Sequence, residues 1–233
     1  MNLRFLAEEA GIDRPFYGVQ AHGVNRGETP YSTIREMAAA DVATIRRRQP
    51  SGPYTLWGYS FGARVAFESA HLLEAAGEQV EHLFLIAPGS PKVRSSSAEG
   101  GASYANPGFV TILYSVFAGA LEEVPGVADR ASFVAYVASR FPALDPELIG
   151  RITAIVEETF EFTYTFRELT ERQVGCPVTI FKARGDDYSF LEETEGWSAR
   201  PPTVVELDAD HYSLLRQPDL RELVKKIRYR LGR

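Results

Sequence analysis

Residues 54–64, YTLWGYSFGAR, decide the fold that we expect for this chain. Their centre is the pattern Gly-x-Ser-x-Gly at Gly58, Ser60 and Gly62, with an apolar β-type run before it and a helical run after it. A serine between a strand and a helix sits on a tight turn, where flanking glycines let the neighbouring backbone pass without Cβ clashes. The pattern predicts that Ser60 is a nucleophile; the alternative is a capping serine in an ordinary strand–helix turn. The amide N–H of Phe61, at the start of that helix, is then expected to form part of an oxyanion hole.

Strand-like and helical segments alternate along most of the chain. Apolar runs rich in β-branched and aromatic residues predict strands at Pro15–Gln20, Tyr54–Gly58, His82–Ala87, Pro177–Ala183 and Thr203–Leu207. The runs are almost wholly apolar, which is typical of strands buried on both faces. Helical patterns separate them, so the sequence predicts an α/β fold with a mostly parallel central sheet.

One region interrupts the alternation. From Tyr104 to Arg172 only helical patterns occur, and we interpret this region as a lid over an α/β site, or else as a helical subdomain that only packs. The expected organisation is a first part of the core at 1–103, a helical lid at 104–172 and a second part of the core at 173–233. The aromatic residues of the region are expected either to line an acyl pocket or to form a core: Tyr114, Phe117, Phe160, Phe162, Tyr164 and Phe166.

A nucleophilic serine needs a base, and the chain has 4 histidines. His211 lies in the sequence DADHYSLL, directly after the last predicted strand, where α/β-hydrolases carry the catalytic histidine. His22 follows the first predicted strand and is the second candidate. His71 lies within the helix after the serine and His82 at the start of a strand, so neither is expected at the site.

The acid that orients the histidine is expected after the strand that ends near Ala183. Asp186 and Asp187 both lie there, in the sequence ARGDDYSF, and we prefer Asp187 with Asp186 as the alternative. Asp208 and Asp210 are close to the histidine in sequence, but neighbours of that kind rarely reach its Nδ1, so we interpret them as solvated loop charges.

The residues described so far resemble a known family. The segments DRPFYGVQAHGVN, TIREMAAADVATIRRRQPSGPYTLWGYSFGARVAFESAHLLEAAGEQVEHLFLI and DADHYSLLRQP are similar to the thioesterase domain that ends nonribosomal peptide and polyketide synthetases. The resemblance implies an α/β-hydrolase fold with a helical lid. It also implies release of an acyl or peptidyl chain, by hydrolysis or cyclisation, from the phosphopantetheine arm of a carrier protein. The carrier protein and the acyl or peptidyl substrate are the implied partners, and no cofactor of the chain's own is implied.

Two departures from the family pattern affect these expectations. Many members carry the acid directly after the strand that follows the serine, and here that position is Ala87. The chain also begins after the place of a first strand and an H-x-G-G-like turn, so about twenty residues are expected to be absent. The absent strand would separate Pro15–Gln20 from Tyr54–Gly58, and the chain could then be a truncated, non-catalytic remnant.

Composition excludes several other classes. The chain has 233 residues and a net charge of -6, which disfavours nucleic-acid binding because that requires clustered positive charge. No apolar run reaches the length of a membrane span, and the N-terminus lacks the features of a signal peptide. A single cysteine and scattered histidines leave no metal-ligand spacing. We therefore expect a cytoplasmic enzyme without a metal, either a thioesterase or a general carboxylesterase or lipase of the same fold.

Overall fold

The chain divides into two compact units. A computed structural model describes residues 3–10, 15–91, 101–160, 171–187 and 196–232, with only the backbone for Ser90, Pro91 and Asp187. A sheet unit comprises the described parts of Asn2–Val19, Ile34–Pro91 and Thr163–Arg233. A helical unit comprises the described parts of Gln20–Thr33 and Lys92–Phe162.

Four parallel strands form the sheet of the sheet unit. They are β1 (Tyr54–Tyr59), β2 (Val80–Ile86), β4 (Val178–Lys182) and β6 (Thr203–Glu206), in the spatial order β1-β2-β4-β6. A second, antiparallel ladder joins β3 (Ser90–Pro91) to β5 (Asp186–Asp187). The predicted parallel α/β sheet is confirmed. The last strand differs from the expectation that the strands are buried on both faces. β6 lies at an edge of the sheet and leaves Val204 55% exposed.

Helices cover both faces of this sheet. They are α1 (Leu3–Ala10), α2 (Ile34–Arg48), α3 (Phe61–Ala75), a short 3₁₀ helix (Ser213–Leu215) and α7 (Asp219–Arg230). Alternate residues of β2 point to opposite faces, so Leu83 and Leu85 join one apolar cluster while Phe84 and Ile86 join another. The first cluster includes residues of α3 and the second includes residues of α7, which gives the two-sided core of an α/β sheet.

The predicted strand at Pro15–Gln20 is wrong, because residues 15–20 have no strand structure. A strand exists only where its backbone groups pair with a neighbour, and in the described part of the chain β1 pairs with β2 alone. Phe16 packs edge-on against Trp57 with ring centroids 5.0 Å apart. The apolar run at Pro15–Gln20 is therefore explained by side chains that pack on the sheet, and not by a strand that belongs to the sheet.

The helical unit is built on α4 (Pro107–Ala118), α5 (Arg130–Arg140) and α6 (Pro146–Thr159). Each helix begins after a side chain that accepts hydrogen bonds from its first turn: Asn106, Asp129 and Asp145. The helical patterns of this region extend to Arg172 in the sequence; α6 ends at Thr159, and residues 161–170 lie outside the described part.

The loop Gln20–Thr33 belongs to the helical unit, although the sequence placed it in the first part of the core. Arg151 on α6 donates from Nε to the carbonyl oxygen of Val24 at 2.7 Å. Arg26 also pairs with Glu147 of the same helix at 2.6 Å. These contacts attach the loop to α6, a long-range association that local sequence patterns do not reveal.

Candidate active site

Ser60 occupies the strained turn between β1 and α3 that the sequence predicts. Its backbone has φ 53° and ψ -126°, a left-handed φ that non-glycine residues rarely adopt. The amide of Ser60 donates to the carbonyl oxygen of Ile86 at 2.9 Å, so the turn remains attached to the neighbouring strand. Strain of this kind persists only where the surrounding structure holds it, and it occurs often at functional sites.

Three side chains form one hydrogen-bonded relay at this turn. The Nε2 atom of His211 lies 2.8 Å from the Oγ atom of Ser60. The Nδ1 atom of His211 contacts a carboxylate oxygen of Asp186. The His211 and Asp186 side chains are only 6% and 2% exposed, which shields their contact from water. A serine, an imidazole and a carboxylate in this order can activate the serine hydroxyl as a nucleophile.

The carboxylate that contacts His211 belongs to Asp186, whereas the sequence analysis preferred Asp187 as the acid. Successive residues of an extended segment alternate in direction, so the choice between two adjacent aspartates depends on strand register. Here the register is set by the ladder that pairs Asp187 with Ser90 and Asp186 with Pro91. The geometry therefore corrects the preference to Asp186, while the Asp187 side chain lies outside the described part.

Ala87 stands at the position where the sequence resemblance implied an acid in many family members. Its backbone φ is 43°, its side chain is fully buried, and its amide donates to the carbonyl oxygen of Phe181 at 2.8 Å. The turn at Ala87 leads from β2 towards β3, whose residues pair with the strand that carries Asp186. Ala87 therefore has no acidic side chain to offer, but its turn directs the backbone towards the strand that pairs beside Asp186.

The loop that carries His211 is organised by Asp210, which the sequence analysis took for a solvated charge. Its Oδ1 atom accepts from the backbone N–H groups of Tyr212 at 2.8 Å and Ser213 at 2.9 Å. Burial opposes ionisation, but these donors outweigh it and lower the pKa of Asp210. Asp208 does behave as a surface charge, because it is 92% exposed and pairs with Arg184.

Tyr59 is a second residue that the sequence reasoning missed. Its hydroxyl donates to the backbone carbonyl oxygen of His211, although 152 positions separate the two residues. The sequence did offer one signal for Tyr59: it directly precedes the predicted nucleophile, so both residues lie at the same end of the strand. Phe61, on the other side of Ser60, is the first residue of α3, and its oxyanion role stays a prediction.

The other three histidines make separate contacts. His22 lies in the helical unit, where its Nδ1 is 2.7 Å from the carbonyl oxygen of Thr29. His71 lies 3.1 Å from the carbonyl oxygen of Gln173, and His82 contacts the Thr179 hydroxyl at 2.9 Å. The histidine brought to Ser60 is therefore His211.

The aromatic residues of the predicted lid pack within the helical unit where they are described. Tyr114 and Phe160 belong to its buried cluster, and Phe117 packs against that cluster. Tyr114 and Phe160 are therefore core residues of their unit, and Phe117 lies at the border of that core. The remaining three, at positions 162, 164 and 166, lie outside the described residues.

Neither a metal site nor a membrane-spanning helix was found in the described part of the chain. Within these residues, His, Cys, Asp and Glu form no group of three or more that could hold a metal ion. None of the helices described combines the length and the apolar character needed to cross a bilayer.

The order of these features along the chain defines the class of protein. A parallel sheet carries Ser60 after β1, Asp186 after β4 and His211 after β6, which is the arrangement of the α/β-hydrolase fold. Comparison with protein families matches residues 4–231 to the family described as Thioesterase domain. The chain belongs to this thioesterase family, as the sequence resemblance implied.

Curated relatives are much longer proteins. Indigoidine synthase of Dickeya dadantii (strain 3937) is 57% identical over 238 residues, which cover 98% of this chain and 16% of the relative. Indigoidine synthase of Streptomyces lavendulae is 57% identical over 241 residues, which cover 100% of this chain and 19% of the relative. The chain thus spans less than a fifth of the length of these relatives.

Solved structures support the fold. The Vlm2 thioesterase domain bound with a dodecadepsipeptide is similar with a TM-score of 0.70 and 17% identity, covering 98% of this chain and 87% of that one. The RedJ thioesterase from the prodiginine biosynthetic pathway in Streptomyces coelicolor gives a TM-score of 0.65 and 20% identity, covering 97% and 79%. At these identities the likeness concerns the fold alone.

Proposed function

We propose that this chain is a serine thioesterase that releases an acyl or peptidyl chain from the phosphopantetheine thioester of a carrier protein. The observation that carries the proposal is the relay from Ser60 through His211 to Asp186. The strained backbone of Ser60 supports it, because strain of this kind marks the nucleophile turn of the fold. Membership of the thioesterase family supports the substrate class.

Acylation begins with the hydroxyl of Ser60. His211 takes the Oγ proton on Nε2 while Oγ bonds to the thioester carbonyl carbon. Asp186 accepts a hydrogen bond from Nδ1–H and stabilises the imidazolium that forms. The carbonyl oxygen becomes negative and is stabilised by the N–H of Phe61. The carbon–sulfur bond then breaks, and His211 returns the proton to the departing phosphopantetheine sulfur, which leaves as a thiol.

Deacylation repeats the proton transfers with a different nucleophile. Water, or a nucleophilic group of the acyl chain itself, loses its proton to His211 and attacks the ester carbonyl on Ser60. The ester bond to Oγ breaks, and His211 returns the proton to Ser60. Water gives a free acid and an internal nucleophile gives a ring, so the same residues serve both outcomes.

We place this activity in a larger synthetase. The two curated relatives are named indigoidine synthase, and the chain matches less than a fifth of each. A carrier protein within such a synthetase would be the partner that presents the substrate. Indigoidine assembly is accordingly the first biosynthetic context in which to test the chain.

The test compares a thioester with an oxygen ester of equal chain length. We expect the chain to hydrolyse an acyl-pantetheine thioester, and Ser60→Ala to abolish turnover and the acyl adduct seen by mass spectrometry. Ser139→Ala is the control, because the Ser139 hydroxyl lies on α5 and bonds locally to the carbonyl oxygen of Tyr136. Preference for the oxygen ester would indicate an esterase. Failure of a fluorophosphonate probe to label Ser60 would indicate a non-catalytic domain.

A further inference from the structure

We infer that the hydroxyl of Tyr59 is a positioning group for His211 and that it sets the distance between the base and the nucleophile. The inference rests on the proposed function, because it assigns Tyr59 a role in the same site. The Tyr59 hydroxyl bonds to the backbone of His211, whereas the imidazole nitrogens bond to Asp186 and Ser60. Its influence on the reaction passes through the backbone of His211, to which its hydroxyl donates.

The direction of the Tyr59 side chain follows from its place at the end of β1. A Cβ built at Gly58 would point at α3, where it would meet Ala63 Cα at 2.6 Å. Tyr59 is the next residue, so its side chain leaves the other face of the strand. There it joins the apolar cluster that also contains Leu214 and Leu215, which follow His211 in the chain. The alternation of β1 therefore aims Tyr59 at the histidine loop.

Two contacts join Tyr59 to that loop. Its hydroxyl donates to the carbonyl oxygen of His211, and its ring centroid lies 5.4 Å from the imidazole centroid. Burial, the largest cause, and the nearby charge of Asp186 raise the pKa of Tyr59, so the phenol remains a donor over the working range of pH. The hydrogen bond to His211 is therefore not limited by ionisation of the phenol itself.

This arrangement fixes His211 at two points. Asp186 holds the imidazole through Nδ1, and Tyr59 holds the backbone of the same residue. Because Tyr59 is covalently joined to Ser60, the backbone of the base is attached to the residue next to the nucleophile. The separation of 2.8 Å between Nε2 and Oγ then depends on one short path through the protein. Small displacements matter here, because errors of about 1 Å in such geometry can cost about a hundredfold in rate.

Phenylalanine at position 59 would fill the same space without the donor. The carbonyl oxygen of buried His211 would lose this hydrogen bond, while the ring contact with the imidazole would remain. A typical buried hydrogen bond corresponds to a factor of up to about ten in an equilibrium or a rate. We therefore expect Tyr59→Phe to lower kcat by about tenfold.

Tyr54 offers a matched control on the same strand. It is also buried, and its hydroxyl donates to a backbone carbonyl, that of Gln49, at 2.9 Å. Tyr54→Phe thus removes the same kind of hydrogen bond from the opposite end of β1, away from His211. We expect both variants to lose similar stability by thermal melting. Only Tyr59→Phe should lower kcat for an acyl-pantetheine thioester, with KM unchanged.

A second measurement separates positioning from a general loss of structure. In a His211→Ala background there is no imidazole to position, so adding Tyr59→Phe should leave the residual rate of fluorophosphonate labelling at Ser60 unchanged. In the wild-type background the same change should slow labelling by about tenfold. A further decrease in the His211→Ala background would mean that Tyr59 acts on Ser60 or on folding, and it would overturn the inference.

The outcomes distinguish this inference from the proposed function. If Ser60→Ala abolishes turnover while Tyr59→Phe matches wild type, the inference fails and the proposed function stands. Equal losses of kcat in Tyr59→Phe and Tyr54→Phe would also overturn the inference. If Ser60→Ala remains active, the proposed function itself fails.

Discussion

Gly58 lies so close to Gly62 that a Cβ atom at position 58 would stand 2.4 Å from the carbonyl oxygen of Gly62. It would also lie 2.7 Å from the Cβ of Ala66, so α3 packs directly on the backbone of β1 at this point. We predict that Gly58→Ala lowers the free energy of unfolding by about 3 kcal/mol, because strand and helix must separate. Urea unfolding measures the loss, and fluorophosphonate labelling should show a displaced Ser60.

The second glycine of the pattern is the control for this prediction. Among the residues that the structure describes, a Cβ built at Gly62 meets nothing within 4 Å outside its own helix, although the sequence pattern made the two glycines equivalent. Gly62→Ala should therefore leave the free energy of unfolding unchanged or raise it by up to about 1 kcal/mol through better helix propensity. Equal destabilisation by the two variants would contradict our account of the packing between β1 and α3.

The assignment of Asp186 predicts a large difference between two adjacent asparagine variants. Asp186→Asn leaves the shape of the site but removes the charge beside Nδ1 of His211, so kcat should fall by about 10⁴. Asp187→Asn should retain most of its turnover. Steady-state kinetics with an acyl-pantetheine thioester checks both, and a larger loss in Asp187→Asn would restore the sequence-based preference.

A carboxylate outside the site should make stability depend on pH. Burial raises the pKa of Asp41, on α2, to about 6, whereas an unfolded aspartate titrates near about 3.9. The folded chain binds this proton more tightly than the unfolded chain does. The free energy of unfolding is therefore highest below pH about 4 and falls as the pH rises through about 6. Asp41→Asn should therefore gain stability over wild type as the pH rises across that interval.

Unfolding experiments at pH 4.5 and pH 7.5 check this prediction. Asp208→Asn is the comparison, since Asp208 is 92% exposed and pairs with Arg184 at the surface. Its difference from wild type should be small at both values of pH. If Asp41→Asn exceeds wild type in free energy of unfolding by the same amount at both values of pH, Asp41 does not titrate as we describe.

How far the sequence predicted this structure depended on whether a feature was local. The strand–serine–helix turn at Ser60 and the histidine after the last strand follow from short patterns, and both were placed correctly. The choice between Asp186 and Asp187 depended on a ladder with Ser90 and Pro91, nearly 100 positions away, which no local pattern encodes. The apolar run after Pro15 looked like a strand because side-chain packing and sheet pairing favour the same residue types.

A buried ion pair in the sheet unit supplies the last prediction. Nε of Arg172 lies 2.8 Å from a carboxylate oxygen of Glu68 on α3, and the two side chains are 18% and 2% exposed. Arg172→Ala removes this partner from a buried carboxylate, so the free energy of unfolding should fall by about 3 kcal/mol. Replacing both residues with apolar ones, Glu68→Leu with Arg172→Met, should recover most of that loss because neither position then buries a charge.

The exposed pair between Arg184 and Asp208 is the control for burial, because its side chains are 66% and 92% exposed. Arg184→Ala should cause little change in urea unfolding, since exposed pairs are screened by water and salt. If Arg172→Ala is as mild as Arg184→Ala, then Glu68 must be stabilised mainly by its other neighbours. If the double apolar variant is less stable than both wild type and Arg172→Ala, the attraction within the pair is larger than the cost of removing its two charges from water.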